Sequence, residues 1–272
     1  MRILVSLKVV PDLDLLRDKK WTIKKNLPLE TAYVKKIINT YDESALELAR
    51  KMADKRKAIN LETELFALNI GENNADLFLK KLLALKFNQT YRVESDLDLR
   101  FNPEALAAII TSFTGEYGPF DLIVMGMQSS DGDNAKTALL TAEELDWPCI
   151  TGVTDFYPDR PNLVIVDNKS DQGSIRQTVR TPLILAVGNA PSSFLPVPTL
   201  KAIKSAARKN INILSLEKLN FKPEDILQSN AQLQELEAVE NSRESIIIEG
   251  SSAEEKAYRL YENHLKGWLS SK

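Results

Sequence analysis

The sequence predicts an α/β fold built on a mostly parallel sheet, and three observations carry that expectation. Short apolar runs alternate with stretches of helical periodicity through the first half of the chain. The run Leu122, Ile123, Val124, Met125 is continuously apolar, as a strand covered on both faces should be. Small polar loops close several of the apolar runs and lead directly into helical stretches.

In chain order, strands are expected at Ile3 to Leu7, Leu61 to Asn69, Thr90 to Val93 and Leu122 to Met125. Helices are expected at Glu43 to Lys55, Ala75 to Leu85, Pro103 to Phe113 and Ala135 to Leu145. Such alternation implies right-handed crossovers with helices on both faces of the sheet. A hairpin of Trp21 to Lys24 with Thr31 to Val34 is expected within the first crossover. Beyond Cys149 the pattern changes to short strands between turns, at Ile150 to Phe156, Leu163 to Asn168, Ser174 to Val179 and Leu183 to Val187, which reads as an antiparallel or mixed extension. Three prolines forbid regular structure in Asn189 to Pro198, and a helix follows in TLKAIKSAARK. Asn212 to Glu244 is polar with isolated leucines and no period; Ser245 to Ile248 reads as a short edge strand. A last helix is capped at Ser251 or Ser252, with a stripe of Ala257, Leu260, Tyr261 and Leu265. An apolar stripe on a tail needs something to cover it, which suggests a partner chain.

Composition excludes several function classes. A net charge of -3, with no basic cluster denser than Lys201 to Lys209, argues against a nucleic-acid partner. No apolar run approaches the ~20 residues that cross a bilayer. A strand beginning directly after Met1 leaves no room for a leader, so a cytoplasmic location is expected. The single cysteine, Cys149, excludes an internal disulfide and is read as a small buried hydrophobe. The single histidine, His264, reads as a packing or surface residue, so histidine-based catalysis and a zinc or di-iron centre have no basis.

The segment Asp121 to Pro148 is the most informative. A buried strand ends at Gly126, small polar residues run from Gln128 through Asn134, and a helix is expected to start near Asn134, with Asp133 or Asn134 as its cap if the segment is an ordinary connection. The first turn of such a helix offers unpaired N–H groups and the positive end of the macrodipole to an anion. A phosphate cradle and an ordinary strand-to-helix connection both fit the segment. Neither G-x-x-x-x-G-K-[ST] nor G-x-G-x-x-G is present. A second helix start lies at INTYDESALELA, where Asn39 and Asp42 are candidate caps and Thr40 with Glu43 has capping-box spacing. Both helix starts belong at the carboxyl edge of the sheet, where α/β proteins bind ligands.

Five words in this order resemble the β subunit of electron transfer flavoproteins: MRILVSLKVVPD, INTYDESALELA, GMQSSDGDNAKTALLTAEELDWP, PTLKAIKSAARKNI and SIIIEGSSAEEKAYRL. The resemblance covers most of the chain. It implies a Rossmann-like core of the adenine-nucleotide α-hydrolase type at residues 1–188, a partner recognition loop and helix at 189–210, and a C-terminal partner-wrapping arm at 211–272. It also implies a non-catalytic electron-transfer subunit that binds a structural AMP and joins an α subunit carrying FAD. In bifurcating relatives a second FAD takes the place of AMP. Carried over to this sequence, the nucleotide pocket would use Ser6, Asn39, Thr40, Tyr41, Asp42, Ile70, Gly71, Met127, Gln128, Ser129, Ser130, Asp131, Gly132, Asp133, Asn134, Ala135, Lys136, Thr137 and Ala138. Dehydrogenases would dock through the recognition loop, with Leu200 as the anchor.

The chain departs from the family pattern in three places. Lys136, Thr137 and Ala138 replace a Gln-[TV]-Gly word, so a methyl is expected where backbone approaches phosphate, with Lys136 as an offsetting cation. Asp131 and Asp133 would repel a phosphate unless they are otherwise engaged. An Arg-Tyr pair is missing from PSSFLPVPTL. Competing classes are a nucleotide sensor of the universal-stress type and an ATP-pyrophosphatase-like enzyme; the G-x-x-G-x-x-x-x-x-G-S/T loop of the first and the S-G-G-x-D-S loop of the second are both absent.

Overall fold

The computed structural model describes residues 1–15, 31, 33–191, 194–222, 224, 226 and 245–270. The chain divides into two compact units, Met1–Gln234 and Glu235–Lys272.

The first unit is built on a nine-stranded sheet. Its strands are β1 (Arg2–Leu7), β4 (Glu64–Gly71), β5 (Gln89–Glu94), β6 (Leu122–Gly126), β7 (Cys149–Arg160), β8 (Leu163–Ser170), β9 (Gly173–Arg180), β10 (Leu183–Val187) and β11 (Asn212–Ser215). Their order is β11-β5-β4-β1-β6-β10-β7-β8-β9. Every neighbouring pair from β11 to β7 is parallel; β7-β8 and β8-β9 are antiparallel. Two further strands, β2 (Val9–Pro11) and β3 (Lys36–Ile38), form a small antiparallel pair.

The helices α1 (Thr40–Ala58), α2 (Asp76–Ala84), α3 (Pro103–Tyr117), α4 (Thr137–Leu145) and α5 (Leu200–Ala206) belong to the same unit. Alternate residues of each central strand enter opposite cores. Ile3, Val5, Leu122 and Val124 pack with Leu46 and Met52 of α1 and Leu79 and Leu82 of α2. Leu4, Ile123 and Met125 pack with Ile109 and Phe113 of α3 and Ala138 and Ala142 of α4. Helices thus cover both faces, as the continuous apolar runs require.

Several expectations need correction. Thr31, Tyr33 and Val34 form a turn and not a strand, and Trp21 to Lys24 lies outside the described residues; the partner of β3 is the segment directly after β1. The extension beyond Cys149 is mixed, one of the two arrangements expected: Leu183 to Val187 is buried throughout and lies between β6 and β7, parallel to both. Within the stretch read as lacking a period, Asn212 to Ser215 adds an edge strand beside β5, where only Leu214 is buried.

The second unit contains α6 (Ala253–Leu260), a π-helical turn at Tyr261–Leu265 and a last helical turn at Lys266–Ser270. Ser252 caps α6 by accepting the Glu255 N–H, and Glu255 in return accepts from Ser251. Ser245 to Ile248 is not a strand. Among the described residues, no helix is long and apolar enough to cross a membrane.

Candidate functional site

The sheet reverses its winding between β1 and β6. From β1 the chain crosses through α1 to β4 and through α2 to β5, moving one way; α3 then carries it back past β1 to β6. At such a switch point α/β sheets characteristically carry a crevice between the loops that follow the two strands, at their carboxyl ends. Ser6, Lys8 and Gly126 stand at its floor, with Ile70 and Gly71 one strand over at the end of β4.

Asp42 ties the two sides of the crevice together. Its Oδ1 accepts the Gly126 N–H at 2.6 Å, and its Oδ2 accepts the Lys8 N–H at 2.9 Å and the Asn39 Nδ2 at 3.2 Å. Gly126 is required here for close approach: a Cβ would lie 2.5 Å from Asp42 Oδ1 and 2.8 Å from Tyr41 Cβ. Asp42 is buried, and that burial pushes its carboxyl up to about 6 in spite of the hydrogen bonds and the Lys8 charge that favour the ionised form.

Asn39 extends this connection to the loop after β6. Its Nδ2 donates to Gln128 O at 2.8 Å, and its Oδ1 accepts the Ser130 N–H at 3.3 Å. Asn39 precedes α1 but makes no side-chain cap, and the expected capping box with Glu43 does not form, because Glu43 Oε1 accepts the Leu195 N–H instead. Tertiary partners have won both side chains from the helix end. Asp131, one residue past Ser130, is held by Lys8 Nζ at 2.7 Å, so its charge is balanced. The loop is anchored further by Met127 N–H to Val187 O and by Asp133 N–H to Ser129 O.

A third loop, between β5 and α3, closes the far side. Arg100 forks onto Asp98 at 2.8 and 2.6 Å, which holds that carboxyl below the usual range. The Arg100 carbonyl accepts Asn134 Nδ2 at 3.0 Å, and a Cβ on Gly132 would lie 2.5 Å from it.

Helix α4 begins at Thr137 and not near Asn134, since Asn134 is engaged with Arg100 and both Asp133 and Ala135 have positive φ. A left-handed alanine is strained by about 1 kcal/mol or more. Neither Asp133 nor Asn134 caps the helix: the residue before it is Lys136, which makes no side-chain cap, and the first turn has no acidic residue. The N–H groups of that turn therefore face the loop with the dipole's positive end and an exposed Lys136 beside them. Ala138 is buried, and its methyl packs in the core with α3, so it does not intrude where a backbone would approach an anion.

The structure brings Asn39, Asp42, Gln128, Ser130 and Asp131 into one bonded set, with Ser6, Tyr41 and Met127 around it. Leu200 lies elsewhere, 79% exposed at the start of α5, whose Ala202 and Ala206 pack on Leu83 and Ala84. Lys8, Asn69, Asp98 and Arg100 are site residues that sequence reasoning missed. Asn69 is buried at the end of β4; its Nδ2 donates to Leu7 O at 3.0 Å while its Oδ1 has no partner. An amide inside the apolar word ELFALNIG and a Lys directly after the end of β1 were the available signals. Among the described residues, no group of His, Cys, Asp and Glu could hold a metal ion. Cys149 is half-buried, and desolvation pushes its thiol up to about 11.

A doubly wound, mostly parallel sheet with helices on both faces places the chain in the Rossmann-like class of α/β proteins, with an uncapped helix start, an exposed lysine and a braced polar loop at its switch point. Residues 27–219 match the electron transfer flavoprotein domain. The chain is 30% identical over 269 residues to the Escherichia coli (strain K12) protein named "Putative electron transfer flavoprotein subunit YgcR", covering 98% of both chains. It is 25% identical to the electron transfer flavoprotein subunit beta of Methylophilus methylotrophus, covering 94% of this chain and 96% of that one. Against the protein of the same name from Megasphaera elsdenii it is 32% identical, covering 78% and 77%. The chain belongs to the electron transfer flavoprotein β-subunit family.

Proposed function

We propose that this chain is the small subunit of a heterodimeric electron transfer flavoprotein, with an AMP in the crevice between β1 and β6 and the redox-active FAD on an α subunit. The observation that carries the nucleotide reading is the start of α4, which offers its first-turn N–H groups without a side-chain cap or an acidic residue in that turn. Two further features fit an anionic nucleotide. Lys136 is exposed at that helix start, and Asp131, one of the two loop carboxylates, is already paired with Lys8.

The AMP is structural in this reading and supplies no redox chemistry. The chain's own residues do the holding: the α4 start and Lys136 take the phosphate, and the loops after β1 and β4 flank the base. No residue of this chain is assigned a catalytic role. The exposed Phe194, Val197 and Leu200 form the dehydrogenase-facing surface. The second unit presents Tyr261, Trp268 and Leu269, each with more than a third of its surface uncovered, to the α subunit.

Purification of the tagged chain tests the assembly. A flavin-bearing chain should co-purify, and co-production with it should raise the soluble yield. A stable monomer with no flavin-carrying companion contradicts this function.

A further inference from the structure

We propose that Asn134 is a positioning residue: by bracing the turn before α4 against the loop between β5 and α3, it aims the N–H groups of that helix start at an anion. The effect on a nucleotide rests on the function proposed above; the brace itself does not.

Asn134 sits between two residues of positive φ, Asp133 at 47° and Ala135 at 52°, and is not itself left-handed. Such alternation of hand turns successive backbone N–H groups toward one concave side, which is how a chain builds an anion nest. The N–H groups of residues 134–139 meet no acceptor among the described residues, so the turn and the helix start together offer a row of donors. Asp tolerates the left-handed region and alanine does not, so an unsupported turn would relax at Ala135.

What holds the turn is a mount on a different loop. Asn134 Nδ2 donates to the Arg100 carbonyl at 3.0 Å, and Gly132 lies so close to the same carbonyl that a Cβ would stand 2.5 Å from it. That carbonyl is fixed from both sides. Before it, Asp98 accepts the Arg100 N–H as well as its guanidinium. After it, the buried Asn102 caps α3 by accepting the Ala105 N–H at 3.0 Å and donates to Ile226 O at 3.1 Å. The Asp133 N–H donates to Ser129 O and closes the turn from its other end. A strained residue held in place by several tertiary contacts is the pattern of a functional position. Asn134 acts on the anion through the backbone that it holds.

The test is competition binding on the purified assembly with AMP and with adenosine, which lacks the phosphate. Asn134→Ala should weaken AMP about tenfold and leave adenosine unchanged, because only the phosphate meets the row of donors. Adding Ala135→Gly to that variant should recover most of the AMP affinity, since a residue without a Cβ takes the left-handed turn unaided. Equal losses for AMP and adenosine, unchanged AMP affinity, or no recovery overturns the proposal. Melting temperature without added nucleotide reads the brace alone. Ala135→Gly should raise it by about 2 to 4 °C in the native background, and by less beside Asn134→Ala, where the turn has already relaxed. Equal shifts in the two backgrounds, or a lowered melting temperature in the native one, overturns the brace. Should Asn134→Ala fail to fold, the sign of the Ala135→Gly shift in the native background decides. A native assembly that binds neither AMP nor adenosine contradicts the nucleotide reading, and the melting comparison still decides whether the brace exists.

Discussion

Glu43 Oε1 accepts the Leu195 N–H at 3.2 Å, so the helix that opens onto the crevice also holds the segment in which Phe194 and Val197 are exposed. Leu195 itself is buried in the core, which leaves the residues on either side of it to solvent. Glu43→Ala should cost about 1 kcal/mol of stability and expose residues 194–199 to faster proteolysis. Unchanged cleavage of that segment would show that Leu195 packing alone holds it.

The Lys8–Asp131 pair spans the crevice between the loops after β1 and β6. Lys8→Met leaves a partly buried carboxylate unpaired and should lower the urea-unfolding free energy by about 1 to 2 kcal/mol. Combined with Asp131→Asn, the double variant should recover about 1 kcal/mol relative to the sum of the two singles. Strict additivity means that the pair contributes nothing.

Gly126→Ala should be among the more damaging single-methyl additions, because its Cβ would fall inside van der Waals distance of Asp42 Oδ1, Asp42 N and Tyr41 Cβ. A loss of about 2 kcal/mol or more is expected in denaturant titrations. Gly173→Ala, where a Cβ meets nothing within 4 Å but φ is positive, tests backbone strain without a clash and should cost less.

Because the Asp42 carboxyl is raised from 3.8 to about 6, the folded protein binds a proton there that the unfolded chain does not. The resulting stability is fully present below 3.8 and is lost as pH rises through about 6. Relative to native, Asp42→Asn should therefore gain about 3 kcal/mol between about pH 3.5 and about pH 7.5. A pH-independent difference between the two proteins would show that the Asp42 carboxyl is not raised.

Phe194 and Leu200 are 77% and 79% exposed, so Phe194→Ser and Leu200→Ala should leave stability within about 0.5 kcal/mol of native. Slower electron exchange with a partner dehydrogenase at unchanged flavin content is the expected result. Native rates with every dehydrogenase tested would take this surface out of docking.

What was legible in the sequence follows from where each element gets its stability. The central strands and α1 to α4 carry their burial in their own residues, as continuous apolar runs or helical stripes, and apart from the start of α4 they fall near where the sequence places them. The short pair β2-β3 and the edge strand β11 depend on distant partners, and only Leu214 of β11 enters the core. The same division separates the site residues. Asn39 was legible as the residue before a helix, but its amide is used 89 residues away at Gln128, and local spacing cannot carry that information. Lys8, whose partner Asp131 lies 123 residues on, was hidden for the same reason. The start of α4 was misplaced because Arg100 captures Asn134, and the positive φ of Ala135 has no signature in its residue type.

The central proposal is an adenine nucleotide between the loops after β1 and β6, at the uncapped start of α4 beside the exposed Lys136 and the paired Asp131. Denaturing the purified assembly and quantifying the released AMP and flavin reads that occupancy without relying on any variant. One AMP and one FAD for each copy of this chain is the expected stoichiometry. Two FAD without AMP would assign the crevice to a second flavin, and an assembly that releases no nucleotide beyond the partner's single FAD would leave the crevice without the ligand proposed for it.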